Sequence, residues 1–362
     1  MNEDERLFGL IRFFSDICSN QNLNAMRIKL LTLGLTALMC LPMVAQNNEN
    51  DKEFWGSAES YLLRQTTRTL DLVDNALKEF PPVTGNGTTR RLALYNVDAI
   101  LHNTTFDKSE PLMDYVKTRM QNVIDGLKAP QVAEMTIYKL YNHGFIVRTK
   151  SVTVAFDMVM GSTYQLIPDE LMAQLVDLCD IMFLSHKHRD HVDPEVVKMF
   201  TDRGKKVVAP DEALPDNKEM THFRKEQIAD LNITLPNSEL KIKVLPGHQD
   251  ELQNNIYVIT TPENLTFAQT GDQYHKEDVP WIATVKQYIP KVDVLLINCW
   301  AMELKTHVDG FNPELVITGH ENEMGHTIDH REAYWMSYLK LDELDYPYAL
   351  MTWGEGYDYY KH

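Results

Sequence analysis

SHKHRDHVD, residues 185–193, directly follows the apolar run IMFL of residues 181–184. A short apolar run that ends in a polar cluster is typical of a buried strand that delivers a loop to the edge of a sheet. Because alternate side chains of an extended segment share a side, we expect His186, His188 and Asp190 to converge. Burying so many polar groups without partners is costly, so core packing does not explain them. The pattern therefore predicts a metal site.

The His-x-His-x-Asp-His pattern of residues 186–191 resembles the signature of the metallo-β-lactamase superfamily. The resemblance runs from about Glu134 to the C-terminus. It implies a four-layer αββα sandwich that holds one or two metals between two sheets. The periodicity of the sequence alone predicts only an α/β fold. The alternative interpretation of the motif is a solvated, histidine-rich loop.

Three later segments match positions at which such proteins carry single metal ligands. PGH at residues 246–248, TGD at 270–272 and GH at 319–320 each follow a predicted strand. We expect Gly247 to turn the chain sharply before it presents the histidine. The resemblance implies a dinuclear site divided as follows: His186, His188 and His248 hold the first metal, Asp190, His191 and His320 hold the second, and Asp272 lies between them.

Residues outside these motifs are further candidates. His143, in YNHGF at residues 141–145, resembles a histidine that faces the cleft in the ascorbate-phosphate lactonase and phosphodiesterase-like branches. The glycine of that segment is displaced here, so a catalytic role and a structural hydrogen bond both stay open for His143. Asp157 ends its strand as an early aspartate of the family does, and we expect it to brace the ligand loops. Core packing is favoured for Trp300 and Trp353.

The resemblance implies an enzyme, a metal-dependent hydrolase. A water shared by two divalent cations loses a proton near neutral pH, and the resulting hydroxide can attack a carbonyl carbon or a phosphorus. Asp190 is expected both to bind the second metal and to transfer the proton. Zinc is favoured, with manganese or iron as alternatives, because such ligand sets accept all three. The predicted substrate is a small molecule with a lactone, ester or phosphodiester bond.

Other functions are ranked lower. β-Lactam hydrolases generally lack the bridging carboxylate that Asp272 is expected to supply. Di-iron oxidoreductases of the same fold usually carry glutamate where this chain has His188, and they add a flavin domain for which no glycine-rich segment is visible. A non-catalytic binding protein is disfavoured because every expected ligand is present.

Composition limits the partners. The chain has 362 residues, of which 44% are hydrophobic and 24% charged, and this is the balance of an ordinary globular protein. Its net charge of −17 argues against nucleic acid as a partner, because phosphate contacts need clustered lysine and arginine. The sequence does not indicate the oligomeric state.

The N-terminal region predicts export. MRIK at residues 26–29 and the apolar run of residues 30–44 have the basic start and short core of a secretory signal peptide that would be cleaved near Ala45. The run is too short to span a membrane comfortably, so we expect a secreted or periplasmic protein without a stable membrane span. Residues 1–25 precede this signal awkwardly, which suggests that Met26 is the true start. Lipid modification at Cys40 is less favoured, because Met39 is not a small residue.

The remaining chain divides into two predicted parts. Residues 46–133 form a helical extension with helices near 54–80, 90–102 and 111–127, and residues 134–362 form the hydrolase-like domain. We expect the extension to cover a sheet edge or to shape the mouth of the site. Residues 281–288 are predicted to be helical and residues 240–245 to be a strand. Cys179 and Cys299 are expected to be small buried hydrophobes, although a disulfide between them stays open.

Overall fold

A computed structural model describes residues 57–85, 87–161, 164–223 and 227–361. The chain divides into two units, Met1–Tyr61 and Leu62–His362. The predicted upstream segment, residues 1–25, and the predicted signal peptide, residues 26–45, lie outside the described residues. None of the helices in the described ranges is both long and apolar enough to cross a membrane.

The strands of the described residues form two seven-stranded mixed sheets. In chain order they are β1 (Met135–Lys139), β2 (Phe145–Thr149), β3 (Thr153–Phe156), β4 (Ile181–Phe183), β5 (Lys206–Ala209), β6 (Thr221–His222), β7 (Ala229–Leu235), β8 (Ser238–Gln249), β9 (Leu252–Thr260), β10 (Thr266–Gln269), β11 (Val294–Asn298), β12 (Leu315–Gly319), β13 (Tyr348–Ala349) and β14 (Gly356–Tyr359). The first sheet has the order β14-β1-β2-β3-β4-β5-β6, and the second has the order β13-β12-β11-β10-β9-β8-β7.

Helices precede the first strand and connect the parallel strands of both sheets. Those of the described ranges are α1 (Ala58–Glu79), α2 (Thr88–Leu101), α3 (Glu110–Lys128), α4 (Asp169–Leu178), α5 (Pro194–Thr201), α6 (Val279–Ile282), α7 (Leu304–Phe311) and α8 (Tyr334–Leu341). Helices α4 and α5 lie in the connections between the parallel strands β3, β4 and β5. Helices α6, α7 and α8 likewise connect β10 to β13.

The two sheets pack face to face through aromatic side chains. The rings of Phe156 and Phe267, one from each sheet, are 6.0 Å apart between centroids, and those of Phe183 and Tyr257 are 4.9 Å apart. Strands β4 and β11 are buried along their whole length, which explains why their sequences are continuous apolar runs rather than alternating patterns. The predicted αββα sandwich is confirmed.

Helices α2 and α3 of the predicted extension belong to the same unit as the sandwich. The buried guanidinium of Arg90 binds the carboxylate of Glu355, with Nη1 and Nη2 at 2.8 and 2.5 Å from its oxygens. Asp98 of α2 accepts hydrogen bonds from the first two backbone N–H groups of α8, at 2.8 and 3.1 Å. The extension thereby supplies the N-terminal cap of a helix in the sandwich.

Several elements differ from the sequence-based expectations. Residues 281–288, predicted as one helix, contain the end of the short α6 and a 3-10 turn at Val285–Gln287. Strand β8 continues beyond Leu245 to Gln249, so the predicted sharp turn at Gly247 is wrong. Strand β7 and helix α7 were not predicted. Cys179 and Cys299 are buried and free, so no disulfide joins them.

Candidate metal centre

The loop after β4 carries the histidine motif, but it is not extended. The carbonyl oxygen of His188 accepts hydrogen bonds from the N–H groups of His191 and Val192, at 3.0 and 2.8 Å, and these bonds close a turn. The expectation that alternation brings His186, His188 and Asp190 together is therefore wrong in its geometry. The turn instead places the rings of His186 and His191 with centroids 4.1 Å apart, and His188 lies 4.8 Å from His186.

Four side chains from three loops offer ligand atoms within 4.8 Å of one another: Asp190, His191, Asp272 and His320. Asp272 Oδ2 lies 3.1 Å from His191 Nε2 and 3.2 Å from His320 Nε2. Asp190 Oδ2 lies 3.3 Å from His191 Nε2 and 3.2 Å from His320 Nε2. Two imidazoles and two carboxylates thus face one point, which is the arrangement of a divalent cation site.

Of the other predicted ligands, His186 lies beside this group, whereas the ligand atoms of His188 and His248 are not among those that converge within 4.8 Å. His186 Nε2 lies 3.9 Å from Asp272 Oδ2. The Nδ1 atom of His248 is 3.0 Å from Asp278 Oδ2, so this ring nitrogen is engaged and Nε2 remains available. The residue after His248, Gln249, donates from Nε2 to Asp272 Oδ2 at 3.3 Å.

These residues lie on loops and at a strand end along one edge of the sandwich. Those after the parallel strands β4, β10 and β12 carry the histidine motif, Asp272 and His320, and His248 comes from the end of β8. Two packed mixed sheets flanked by helices thus present a histidine and aspartate cluster at the carboxyl ends of their strands.

The chain is an αββα sandwich that carries this cluster at one edge.

Comparison with known proteins gives structural similarity only. No family model matches the sequence, and no curated protein matches it. Igni18, a metallo hydrolase from the archaeon Ignicoccus hospitalis, is 15% identical over 63% of this chain and 99% of its own, with a TM-score of 0.49. An isothiocyanate hydrolase from Delia radicum gut bacteria is 13% identical over 62% of this chain and 99% of its own, with a TM-score of 0.46.

The diiron β-hydroxylase CmlA from Streptomyces venezuelae is 13% identical over 64% of this chain and 55% of its own, with a TM-score of 0.45. Metal-dependent hydrolases and a hydroxylase are therefore both among the similar structures. Sequence identities this low are no evidence that these proteins share a substrate or an activity with this chain.

Within this sandwich, the cluster stabilises positive charge at its centre. Burial alone would lower the pKa of His320, but the carboxylates of Asp272 and Asp190 outweigh burial and raise this pKa to about 10. The pKa of His191 is raised for the same reason. Burial would raise the pKa of Asp272, yet the facing imidazoles hold it well below its usual range. Burial and the neighbouring His191 instead lower the pKa of His186.

Asp157 braces two ligand loops, as expected from the sequence. Its Oδ1 accepts the backbone N–H of Ser185 at 2.7 Å, and its Oδ2 accepts the Ser185 hydroxyl at 2.7 Å and Gln269 Nε2 at 2.8 Å. The same Oδ2 lies 3.0 Å from His191 Nδ1. A carboxylate at this distance holds a proton on Nδ1, so Nε2 is the ring nitrogen directed at the cluster.

Two glycines permit close approach at the site. A Cβ atom on Gly271, whose φ is +53°, would lie 2.3 Å from Asn254 Oδ1 and 2.4 Å from Ser185 Cβ. A Cβ atom on Gly247 would lie 2.1 Å from Gln273 Oε1, which accepts the N–H of His248 at 2.8 Å. Gly247 is therefore needed for contact with Gln273 rather than for a turn.

Asp278 and Asn298 contact two of the predicted ligands and were not found from the sequence. Asp278 Oδ2 accepts Gln273 Nε2 at 2.9 Å as well as facing His248 Nδ1. Asn298 Nδ2 donates to Asp272 Oδ1 at 3.2 Å. Both residues follow or precede short irregular segments, and no sequence motif marks them.

His143 and the two tryptophans differ in exposure. His143 is fully buried, its ring lies edge-on to Phe145 with centroids 5.5 Å apart, and neither of its ring nitrogens has a hydrogen-bond partner among the described residues. Its catalytic role stays a prediction, and its burial favours packing instead. Trp353 is buried as expected, whereas Trp300 is half-exposed and edge-on to His320, with centroids 5.3 Å apart.

Proposed function

We propose that the protein is a metal-dependent hydrolase that binds two divalent cations at this cluster. The convergence of the ligand atoms of Asp190, His191, Asp272 and His320 within 4.8 Å carries the proposal. The donor set fits a cation. The Nε2 atoms of His186 and His191 are buried and have no hydrogen-bond partner in the described part of the chain, although carboxylate oxygens face them. Lone pairs that face one another in this way repel unless a positive charge lies between them.

The proposed division of ligands follows the geometry of Asp272. Its Oδ2 faces His191 and His320 of one group and His186 of the other, at 3.1, 3.2 and 3.9 Å. This position supports the assignment of Asp272 as the residue shared by both cations. His186, His188 and His248 would hold the first cation, and Asp190, His191 and His320 the second. Imidazole and carboxylate ligands suit zinc, and manganese or iron are alternatives.

Bound divalent cations would lower the pKa of water toward neutrality and polarise a carbonyl or phosphoryl oxygen. The chain itself supplies the proton acceptor. Asp190 keeps 21% of its side chain exposed while Asp272 keeps 1%, so Asp190 is the carboxylate of the cluster that substrate and solvent can reach. We assign it the transfer of a proton to the leaving group. The half-exposed Trp300 would contact the substrate beside His320.

The substrate class that we propose is a small lactone, ester or phosphodiester. The position of Asp272 between the two groups of histidines supports this class over β-lactams. A di-iron oxidoreductase is the alternative, and metal analysis of protein purified without added metal distinguishes the two. Zinc or redox-inactive metal favours the hydrolase, and a redox-active iron pair favours the oxidoreductase.

Substitution tests the ligand assignment. Asp272→Ala and His188→Ala should each lose bound metal and hydrolytic activity while the circular dichroism of the helices stays unchanged. His330→Ala is a matched control, because its side chain is 74% exposed and its neighbour Asp329 is equally exposed. This variant should keep metal and activity. A folded Asp272→Ala protein that retains both cations and full activity would refute the assignment.

We also propose that the protein is exported after cleavage near Ala45. The basic start and short apolar core of residues 26–44 support this proposal. N-terminal sequencing of the protein recovered outside the cytoplasm should give a start just after Ala45. A mature form that retains residues 2–25 would contradict it.

A further inference from the structure

The turn between β1 and β2 contacts both loops that carry the proposed ligands of the second cation. The backbone N–H of His320 donates to the carbonyl oxygen of Asn142 at 3.1 Å. The side-chain Nδ2 of Asn142 donates to the carbonyl oxygen of Asp190 at 3.0 Å and to its carboxylate Oδ2 at 3.1 Å. Asn142 therefore links two ligands that lie 130 residues apart in the sequence.

The backbone conformation at position 142 explains only in part why an asparagine stands there. Its φ of +55° lies in the left-handed region, which glycine and asparagine adopt at low cost. Glycine would meet that requirement equally well. Only asparagine adds an N–H donor that reaches the Asp190 carboxylate. The amide contact, rather than the shape of the turn, is therefore the feature that distinguishes asparagine from glycine at this position.

The surroundings fix the amide in place. Asn142 is fully buried, so its side chain has no water to compete for the hydrogen bond. Its neighbour His143 packs so tightly against β12 that a Cβ atom on Gly319 would lie 2.3 Å from His143 Nδ1. Asn142 Oδ1 has no hydrogen-bond partner among the described residues. Retaining this buried, unpaired oxygen costs free energy, and the two bonds made by Nδ2 offset that cost.

The donor acts on the atom that faces the cluster. Asp190 Oδ2, which accepts the Asn142 amide, is the same oxygen that lies 3.2 Å from His320 Nε2. Asp190 is partly exposed, and among the described residues the Asn142 amide and the imidazoles of His191 and His320 hold its carboxylate away from solvent. The hydrogen bond from the Asn142 amide is lost if the Asp190 carboxylate rotates away. The same hydrogen bond also stabilises the negative charge on Asp190 Oδ2 when the cluster holds no cation.

We propose that Asn142 is a positioning residue, which holds the Asp190 carboxylate and the His320 backbone in the geometry that binds the second cation. The inference rests on the proposed function, since it assigns a role toward the same cluster. It predicts that loss of the amide weakens one cation site selectively. A residue that only stabilised the turn would weaken both sites together or neither.

The test uses Asn142→Gly, which keeps the positive φ and removes the amide. Asn264→Gly is the matched control, because Asn264 also has a positive φ, of +60°, and its side chain is exposed. Zinc affinities of the metal-free proteins are measured by competition with a chromophoric chelator, and cobalt-loaded proteins are compared by visible absorption. Asn142→Gly should weaken the second zinc about 10- to 100-fold, leave the first within about twofold and alter the absorption of the second cobalt. Asn264→Gly should change none of these.

A double substitution separates positioning from stability. In the Asp190→Ala background, adding Asn142→Gly should change the affinity for the second zinc by less than about twofold, because the partner of the amide is already gone. Failure of the wild-type protein to bind two zinc ions would overturn the proposed function and this inference together. Two zinc ions in the wild type, with equal second-site affinity in Asn142→Gly, would overturn the positioning role alone.

Discussion

Replacing Asp157 by asparagine should weaken both the fold and the metal centre. The fully buried carboxylate accepts the backbone N–H and the hydroxyl of Ser185, both at 2.7 Å, and Gln269 Nε2 at 2.8 Å, and it faces His191 Nδ1 at 3.0 Å. Asparagine has nearly the same shape but only one oxygen. The four donors that bind the two carboxylate oxygens of Asp157 would therefore compete for a single amide oxygen, which can face only some of them.

The structure sets the size of the effect. The favoured orientation keeps the amide oxygen on the side of Gln269 and His191 and turns the amide nitrogen toward the N–H of Ser185. One buried N–H then lacks a partner, at a cost of about 1–3 kcal/mol. The other bonds become neutral instead of charge-assisted, and each loses roughly 1 kcal/mol. We expect a total loss of about 4–6 kcal/mol in the free energy of unfolding of the metal-free protein, again on the scale of these bond energies.

The weaker acceptor also releases the ring of His191. Its proton is no longer held on Nδ1, so the lone pair of Nε2 is less well directed at the cation. Loss of such an outer contact typically lowers metal affinity about 10- to 100-fold. Urea unfolding in the presence of a chelator measures the stability, and chelator competition measures the zinc affinity.

Asp293→Asn is the matched control for the two measurements. Asp293 is fully buried and accepts the N–H of Thr266 at 2.7 Å, but it precedes β11 and therefore lies at the opposite end of the sheet from the ligands. The Asp293→Asn protein should lose stability without losing zinc affinity. If Asp157→Asn, once folded, bound zinc as tightly as the wild type, the reasoning about His191 would be refuted.

Three further changes test the fold away from the ligands. The pKa of buried Glu355 is lowered despite burial because Arg90 faces it, so its contribution is present above about pH 4.5 and is lost as the pH falls through the lower folded-state value. Glu355→Gln should lower the free energy of unfolding, measured in urea, by roughly 3–5 kcal/mol at pH 7 and by much less near pH 3. An equal loss at both pH values would show that the ion pair with Arg90 does not contribute this stability. In Gly310→Ala the new Cβ would lie 2.1 Å from the carbonyl oxygen of Ile282, so the melting temperature should fall while zinc affinity stays constant, and an unchanged melting temperature would count against this contact. Asp98→Ala removes the cap of α8 and should cost about 1–3 kcal/mol; denaturant unfolding that matches the wild type would show that the cap contributes nothing.

The residues of the cluster were predictable because each follows a strand that the sequence marks by an apolar run. Buried parallel strands need such runs, and their carboxyl ends meet at one edge, so separate motifs indicate one site. The geometry within the histidine motif was not predictable. The turn depends on hydrogen bonds to the His188 carbonyl, which the alternation of side chains does not report.

The extent of β8 is a second feature that could not be predicted from the sequence. The predicted strand ended at Leu245, directly before Pro246, a residue that lacks the N–H that a ladder needs. Strand β7 pairs with β8 only as far as Val244, so one side of β8 is already unpaired at Pro246 and the missing donor is not required there. The alternating apolar positions of β7, at Leu231, Ile233 and Leu235, carried a signal of period two that could have revealed it.

Contacts made by Asn142 and Asp278 depend on residues far away in the sequence. Asn142 meets Asp190 and His320, and Asp278 meets His248 thirty residues earlier. Asn142 lies in the segment of residues 141–145 that was singled out for His143, Asp278 belongs to no motif, and both are short polar residues that commonly serve in turns. Only the assembled fold shows that they contact the proposed metal ligands.

Crystals of the zinc-replete protein, measured on both sides of the zinc absorption edge, test the central claim most directly. We predict two anomalous peaks at the cluster, one of them about 2.0–2.2 Å from His191 Nε2 and His320 Nε2 and from oxygens of Asp190 and Asp272. Zinc-replete crystals without a peak among these four side chains would contradict the account.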